Sequence, residues 1–309
     1  ALLGALAIAG REEAERWGSE RAHVTFVAMG RYGGREGSYA SDADVIALHE
    51  PVGGTSDSEA AASATAIVNR VKKLLGSATS QLGIVVDLDL RPEGKNGPMS
   101  RTIASHEEYA QRWSSTWERQ AAVRARPIGS SNLDERARAL FESMAYREVS
   151  ESEVRDIRLL KARMENERLP RGSEPARHVK LGPGGLSDVE WTIQLIQMRH
   201  GARLPALRTP STTRAIAVAR DAGLLAAPDA EILLNAWDLA TRIRAGNTLA
   251  TGRMSGVKLD VLPRDSAELS ALAAILGYGS GGLTALEEDW LRAARQARNV
   301  MERAFWEQQ

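Results

Sequence analysis

Apolar positions recur at three- and four-residue steps from Leu2 to Trp17, which predicts a helix, and His23 to Met29 (HVTFVAM) has the character of a buried strand. That strand runs into Gly30-Arg31-Tyr32-Gly33-Gly34, too glycine-rich for the interior of a regular element and read as a turn. From Ser41 to Leu48 polar and apolar residues alternate at period two, predicting a second strand. A helix follows over about Glu59 to Leu75, with Ala64, Ile67, Val71, Leu74 and Leu75 on one face, Asp57 or Ser58 as cap and Gly76 as stop. A third strand is expected over Ile84 to Leu90, ended by Arg91-Pro92-Glu93-Gly94, so that Asp87 and Asp89 share a face.

From His106 the period turns helical. Segments are expected near His106 to Arg126, Leu133 to Arg147, Glu153 to Arg168, Asp188 to His200, Thr212 to Ala222, Asp229 to Ala250, Ser266 to Leu276 and Leu283 to Trp306. In the last of these, Leu286, Trp290, Ala293, Ala297, Val300 and Ala304 form a packing stripe rather than a cofactor box. The fold class is therefore α+β: a small mixed-sheet domain over residues 1–150, then an all-helical domain over 151–309, with the boundary near Ser150.

Composition narrows the functional classes. A chain of 309 residues accommodates two cores, and 40 basic against 40 acidic side chains give no general pull toward nucleic acid or an anionic membrane. The absence of cysteine rules out thiol catalysis and thiolate metal sites and fits a reducing, cytoplasmic setting. Apolar residues Ala1 to Ile8 are too few to span a bilayer and read as a helix cut from a longer protein. The five histidines show no metal-ligand spacing, and the glycine turn lacks the Lys-Ser/Thr ending of a P-loop.

Chemistry concentrates in Asp42-x-Asp44. Alternation puts both carboxylates on one strand face, where both ionise comfortably only beside cations. Asp87 supplies a third ligand from a later strand, and three oxygen ligands with substrate phosphates suffice for Mg²⁺ or Mn²⁺. The glycine turn lets backbone approach a triphosphate, with Arg31 and Ser41 as further donors. Together these parts describe in-line attack at phosphorus and nucleotidyl transfer, in a pattern matching polymerase-β-like nucleotidyltransferases.

Several residues have two readings. Asp89 is a ligand or a partner of Arg91; Arg91, Arg124 and Arg126 hold phosphate or serve in structural ion pairs. Lys180, Asp188 and Glu190 reach substrate or metal, or the two acids merely favour a helix start.

The stretch Met29 to Asp44 (MGRYGGREGSYASDAD) resembles the signature of the glutamine synthetase adenylyltransferase family, whose members carry an adenylylating and an adenylyl-removing half. Further similar stretches are Asp87 to Gly94 (DLDLRPEG), Trp117 to Ala121 (WERQA) with Arg124-Ala125-Arg126, and Lys180 to Trp191 (KLGPGGLSDVEW). Removing halves usually carry Arg where Ser187 stands, so Ser187-Asp188 resembles the C-terminal, adenylylating half, and Met301 to Trp306 looks like a natural C-terminus. The resemblance implies transfer of AMP from ATP to a tyrosine of glutamine synthetase. It makes Asp42, Asp44 and Asp87 metal-binding and catalytic, and sets Gly30, Arg31, Gly33, Gly34, Ser41, Arg91 and Lys180 around the nucleotide. The helical domain is expected to close the nucleotide cleft and dock the protein substrate, and a nitrogen-signalling regulatory protein is a possible further partner. Phosphorolytic removal of AMP, transfer to a small molecule such as an antibiotic, transfer to a polynucleotide, and a non-catalytic binding module are the rival readings.

Overall fold

The first strand forms at Ala22–Ala28 (β1) and pairs antiparallel with Ala43–Pro51 (β2), Ala22 opposite Pro51 and Ala28 opposite Val45. This is a computed structural model that describes residues 1–39, 41–76, 83–170, 172–254, 256–279 and 281–307. β2 carries two short strands along its other edge, both parallel to it: Val86–Asp87 (β3) beside Ala43–Asp44, and Ser100–Thr102 (β4) beside Ala47–His49. Arg126–Pro127 (β5) closes the far side by pairing antiparallel with β1. The result is a small mixed sheet of five strands.

Helices α1 (Leu2–Trp17) and α3 (Asp57–Leu75) cover one face, where Leu2, Phe26, Val45, Ala47, Val68 and Val86 share a core. Against the other face lie α4 (Ile103–Arg112) and α6 (Asn132–Ala145), with α5 (Thr116–Ala122) packed on α6. β1 and β2 are thus largely covered on both faces, which is why they are apolar at most positions.

Four sequence expectations need correction. Gly30–Gly33 is a single helical turn (α2), because Gly34 N–H reaches the Gly30 carbonyl at 3.3 Å. The cap of α3 is Ser56, not Asp57 or Ser58: only Ser56 has Glu59 three residues on to complete the reciprocal cap. The third strand shrinks to two residues, because the Asp87 carboxylate accepts the Asp89 N–H at 2.7 Å and turns the chain there. Finally, the helix expected over 106–126 is two helices. Ser115 opens the second, its N–H donating to the Glu118 carboxylate at 2.8 Å.

Among the described residues, 38–39 and 148–307 form a second compact unit, while those of 1–37 and 41–147 form the first. It comprises α7 (Glu151–Glu167), α8 (Leu186–His200), α9 (Thr212–Asp221), α10 (Ala227–Thr251), α11 (Ser266–Ile275) and α12 (Gly282–Met301). The predicted stripe Leu286, Trp290, Ala293, Ala297, Val300 and Ala304 is buried, and Trp290 Nε1 donates to the Ala176 carbonyl at 2.8 Å. α12 stops at Met301 and the chain continues as a wide π-type turn to Glu307. Among the described residues, no helix is long and apolar enough to cross a membrane.

Candidate active site

β2 begins one residue after Asp42, which leaves Asp42 exposed and Asp44 half-buried while Ala43 and Val45 are buried on the opposite face. The parallel register sets Asp44 opposite Asp87, and register partners project to the same side. Asp44 and Asp87, distant in sequence, are thereby brought to one sheet edge, with Asp42 just before the strand. All donors are carboxylate oxygens, the kind a hard divalent cation takes. As the side chains stand, no set of three among the described residues is drawn together tightly enough to hold an ion. Asp87 Oδ1 faces its own loop, where it accepts from the Asp89 N–H.

Gly30 fits the space beside Asp44. Its φ is +50°, and a Cβ on it would lie 2.9 Å from Asp44 Oδ2, so only glycine leaves the carboxylate room and takes this backbone conformation without strain. The Met29 N–H donates to the Asp44 carbonyl at 2.9 Å, fastening the turn to β2. The Gly33 and Gly34 amides are spent inside the turn on the Met29 and Gly30 carbonyls, at 2.7 and 3.3 Å. Gly33 has a different use: a Cβ there would overlap the carbonyls of Arg124 and Ala28. Arg31 and Ser41 are both half-buried beside this turn and strand start, and Ala40 of the signature lies outside the described residues.

Both ambiguous arginines turn toward the backbone of this turn. Arg124 Nε donates to the Gly30 carbonyl at 3.0 Å and its Nη2 to Glu36 at 2.7 Å. Arg126 donates to the carbonyls of Gly33 and Tyr32 at 2.8 and 3.0 Å. Arg91 is similarly engaged with its own loop, donating to Leu88 and Gly97 carbonyls at 2.9 and 3.2 Å, with Asp89 3.7 Å away. In this structure Arg91 braces its own loop.

Lys180 belongs to the second unit, half-exposed, with Asp260 at 4.0 Å. Asp188 stands in the first turn of α8 in the same unit. It is 1% exposed, accepts from Lys161 at 2.5 Å and Gly184 N–H at 2.7 Å, and lies 3.2 Å from Arg298. Burial pushes the nearby Glu165 carboxyl up, but hydrogen bonds and charge from Arg298 and Lys161 outweigh it and hold the group below its ordinary range. Glu190 is half-buried in the first turns of α8.

Sequence reasoning passed over His106. It sits on α4 against Phe141, ring centroids 5.2 Å apart, and its Nδ1 is buried without a hydrogen-bond partner among the described residues. Burial, aided by the Arg101 charge, pushes its pKa down to about 4. Met29, Ile46, Leu90, Pro92 and Trp117 join it around a small cleft. The signal was faint: one histidine on a helix whose apolar neighbours are sparse.

Residues 4–141 match the family model of glutamate-ammonia ligase adenylyltransferase, and residues 158–305 match that of GlnD PII-uridylyltransferase. Among curated proteins, the chain is 45% identical over 94% of its length to the bifunctional glutamine synthetase adenylyltransferase/adenylyl-removing enzyme of Streptomyces coelicolor. Enzymes of the same description from Leifsonia xyli and Mycolicibacterium smegmatis are 43% and 40% identical over 97% and 92% of it. The chain spans 29%, 29% and 28% of the length of these three relatives. Its sequence places it in the glutamine synthetase adenylyltransferase/adenylyl-removing enzyme family.

Proposed function

We propose that this chain transfers AMP from ATP to a tyrosine hydroxyl of glutamine synthetase, releasing pyrophosphate, on a polymerase-β-like nucleotidyltransferase domain. The observation that carries this reading is the register of Asp44 against Asp87 beside the glycine turn, within a segment matching the adenylyltransferase model. Asp42, Asp44 and Asp87 are the residues that would hold Mg²⁺ or Mn²⁺. Such an ion, when bound, lowers the pKa of a hydroxyl and offsets charge on a leaving pyrophosphate. Gly30 keeps the approach to Asp44 open, the turn receives the polyphosphate, and Asp87 is the candidate acceptor of the phenol proton. The new bond joins the tyrosine oxygen to the α-phosphorus, and the bond from that phosphorus to the bridging oxygen breaks.

Direction rests on Ser187-Asp188, which resembles the adenylylating half; the relatives' names cover both directions. The deciding experiment incubates glutamine synthetase with this chain, labelled ATP and Mg²⁺, then weighs the intact subunit. A gain of one AMP supports the reading, and Asp44→Asn labelling as fast as wild type would sink it. Adenylylated substrate with phosphate, yielding ADP, would reverse the assignment of direction.

A further inference from the structure

We infer that Arg124 and Arg126 are positioning residues, setting triphosphate affinity without touching the nucleotide. The inference rests on the reading above that the glycine turn receives the polyphosphate. Carbonyl oxygens carry partial negative charge, so a glycine turn free to rotate its peptides would present some of them to an incoming phosphate. In this structure the Gly30, Tyr32 and Gly33 carbonyls each accept from a guanidinium, at 3.0, 3.0 and 2.8 Å. The Gly30 and Tyr32 carbonyls accept only long backbone bonds within the turn, at 3.3 and 3.2 Å, and the guanidinium bonds hold them from behind.

The clamp itself is anchored. Arg126 lies in β5, opposite Ala28 of β1, the strand that leads into the turn. Arg124 is a buried residue whose side chain is 4% exposed, and it also fixes Glu36 downstream, at 2.7 Å. The absence of a side chain on Gly33 lets turn and clamp meet, since a Cβ there would overlap the Arg124 carbonyl. Both ends and the middle of the segment from Gly30 to Glu36 are therefore held by residues on one short stretch. The Arg126 guanidinium also lies over the Tyr32 ring, 5.9 Å from its centroid. A fork that serves two carbonyls at once is a property of arginine, and lysine cannot reproduce it.

The test uses the whole chain and calorimetric titration with ATP and with AMP, in the presence of Mg²⁺, for wild type, Arg126→Lys and Arg126→Met. Wild type is expected to prefer ATP over AMP. Both variants should lose about tenfold of that preference, the loss of roughly one hydrogen bond's net worth. AMP affinity and the thermal midpoint should stay near wild type, and KM for ATP should rise more than kcat falls. The lysine variant decides between mechanisms: if it keeps the wild-type preference, charge alone suffices and the clamp is refuted. Equal losses for ATP and AMP in both variants would also overturn it, as a merely structural role. Should wild type bind no ATP, the reading of the site falls first and takes this inference with it.

Discussion

At the scale of single residues, two positions in the first unit make separable demands. Gly30→Ala would place a methyl 2.9 Å from Asp44 Oδ2 in a left-handed backbone, a conformation costing about 1–2 kcal/mol for an L-residue. AMP transfer should fall at least about tenfold while the thermal midpoint drops by only a few degrees, checked by labelling rate and calorimetry. His106 concerns stability instead. Its folded pKa of about 4 lies below the ordinary 6.5, so below pH 6.5 the unfolded chain takes up a proton that the folded chain refuses. Stability therefore declines as pH falls from 6.5 toward 4 and the decline then levels. Between pH 7 and 5 the wild type should lose about 2 kcal/mol more than His106→Gln, read from urea midpoints at the two pH values. Equal losses would mean that His106 titrates normally.

At the scale of elements, long periodic segments were legible in the sequence and short non-local ones were not. α1 ends at Trp17 as its pattern indicated, and the α12 stripe is core, because burial of one helix face imposes a repeat on neighbouring residues. β4 and β5 are two or three residues long, polar or proline-containing, and held only by partners far along the chain, so no local period announces them. The Asp-x-Asp pair stands out as a candidate from local sequence alone, whereas the carbonyl partners of Arg124 and Arg126 depend on contacts across roughly ninety residues. The ion-pair partners of Asp188 were not legible for a related reason. They come from α7 and α12, and Lys161 and Asp188 are 0% and 1% exposed. Asp188→Ala should destabilise the second unit by roughly 3–5 kcal/mol, as removal of one member strands a buried charge. Replacing Lys161 and Asp188 together by apolar residues should restore part of the loss in denaturant midpoint, and no recovery would contradict a simple pair.

At the scale of the whole molecule, separate cores in the two units predict separable responses to mutation. Asp188→Ala should lower the melting of the second unit and leave Gly30→Ala to report on the first; a single shared transition moved equally by both would refute independent cores. The balance of 40 basic and 40 acidic side chains also makes the chain least soluble near its pI of about 7.2, so turbidity should peak close to neutrality. A last consequence follows from how short β3 is. Only Val86 and Asp87 align it with β2, and sliding the pairing by one residue would exchange Asp87 for an aliphatic neighbour, since alternate positions face opposite ways. A two-rung ladder thus sets the chemical identity of the third carboxylate. Divalent ions that prefer the aligned state should slow deuterium uptake at Val86 and Asp87 ahead of the rest of the sheet, so that a ligand for the reaction would also act as the pin that keeps the strand in step.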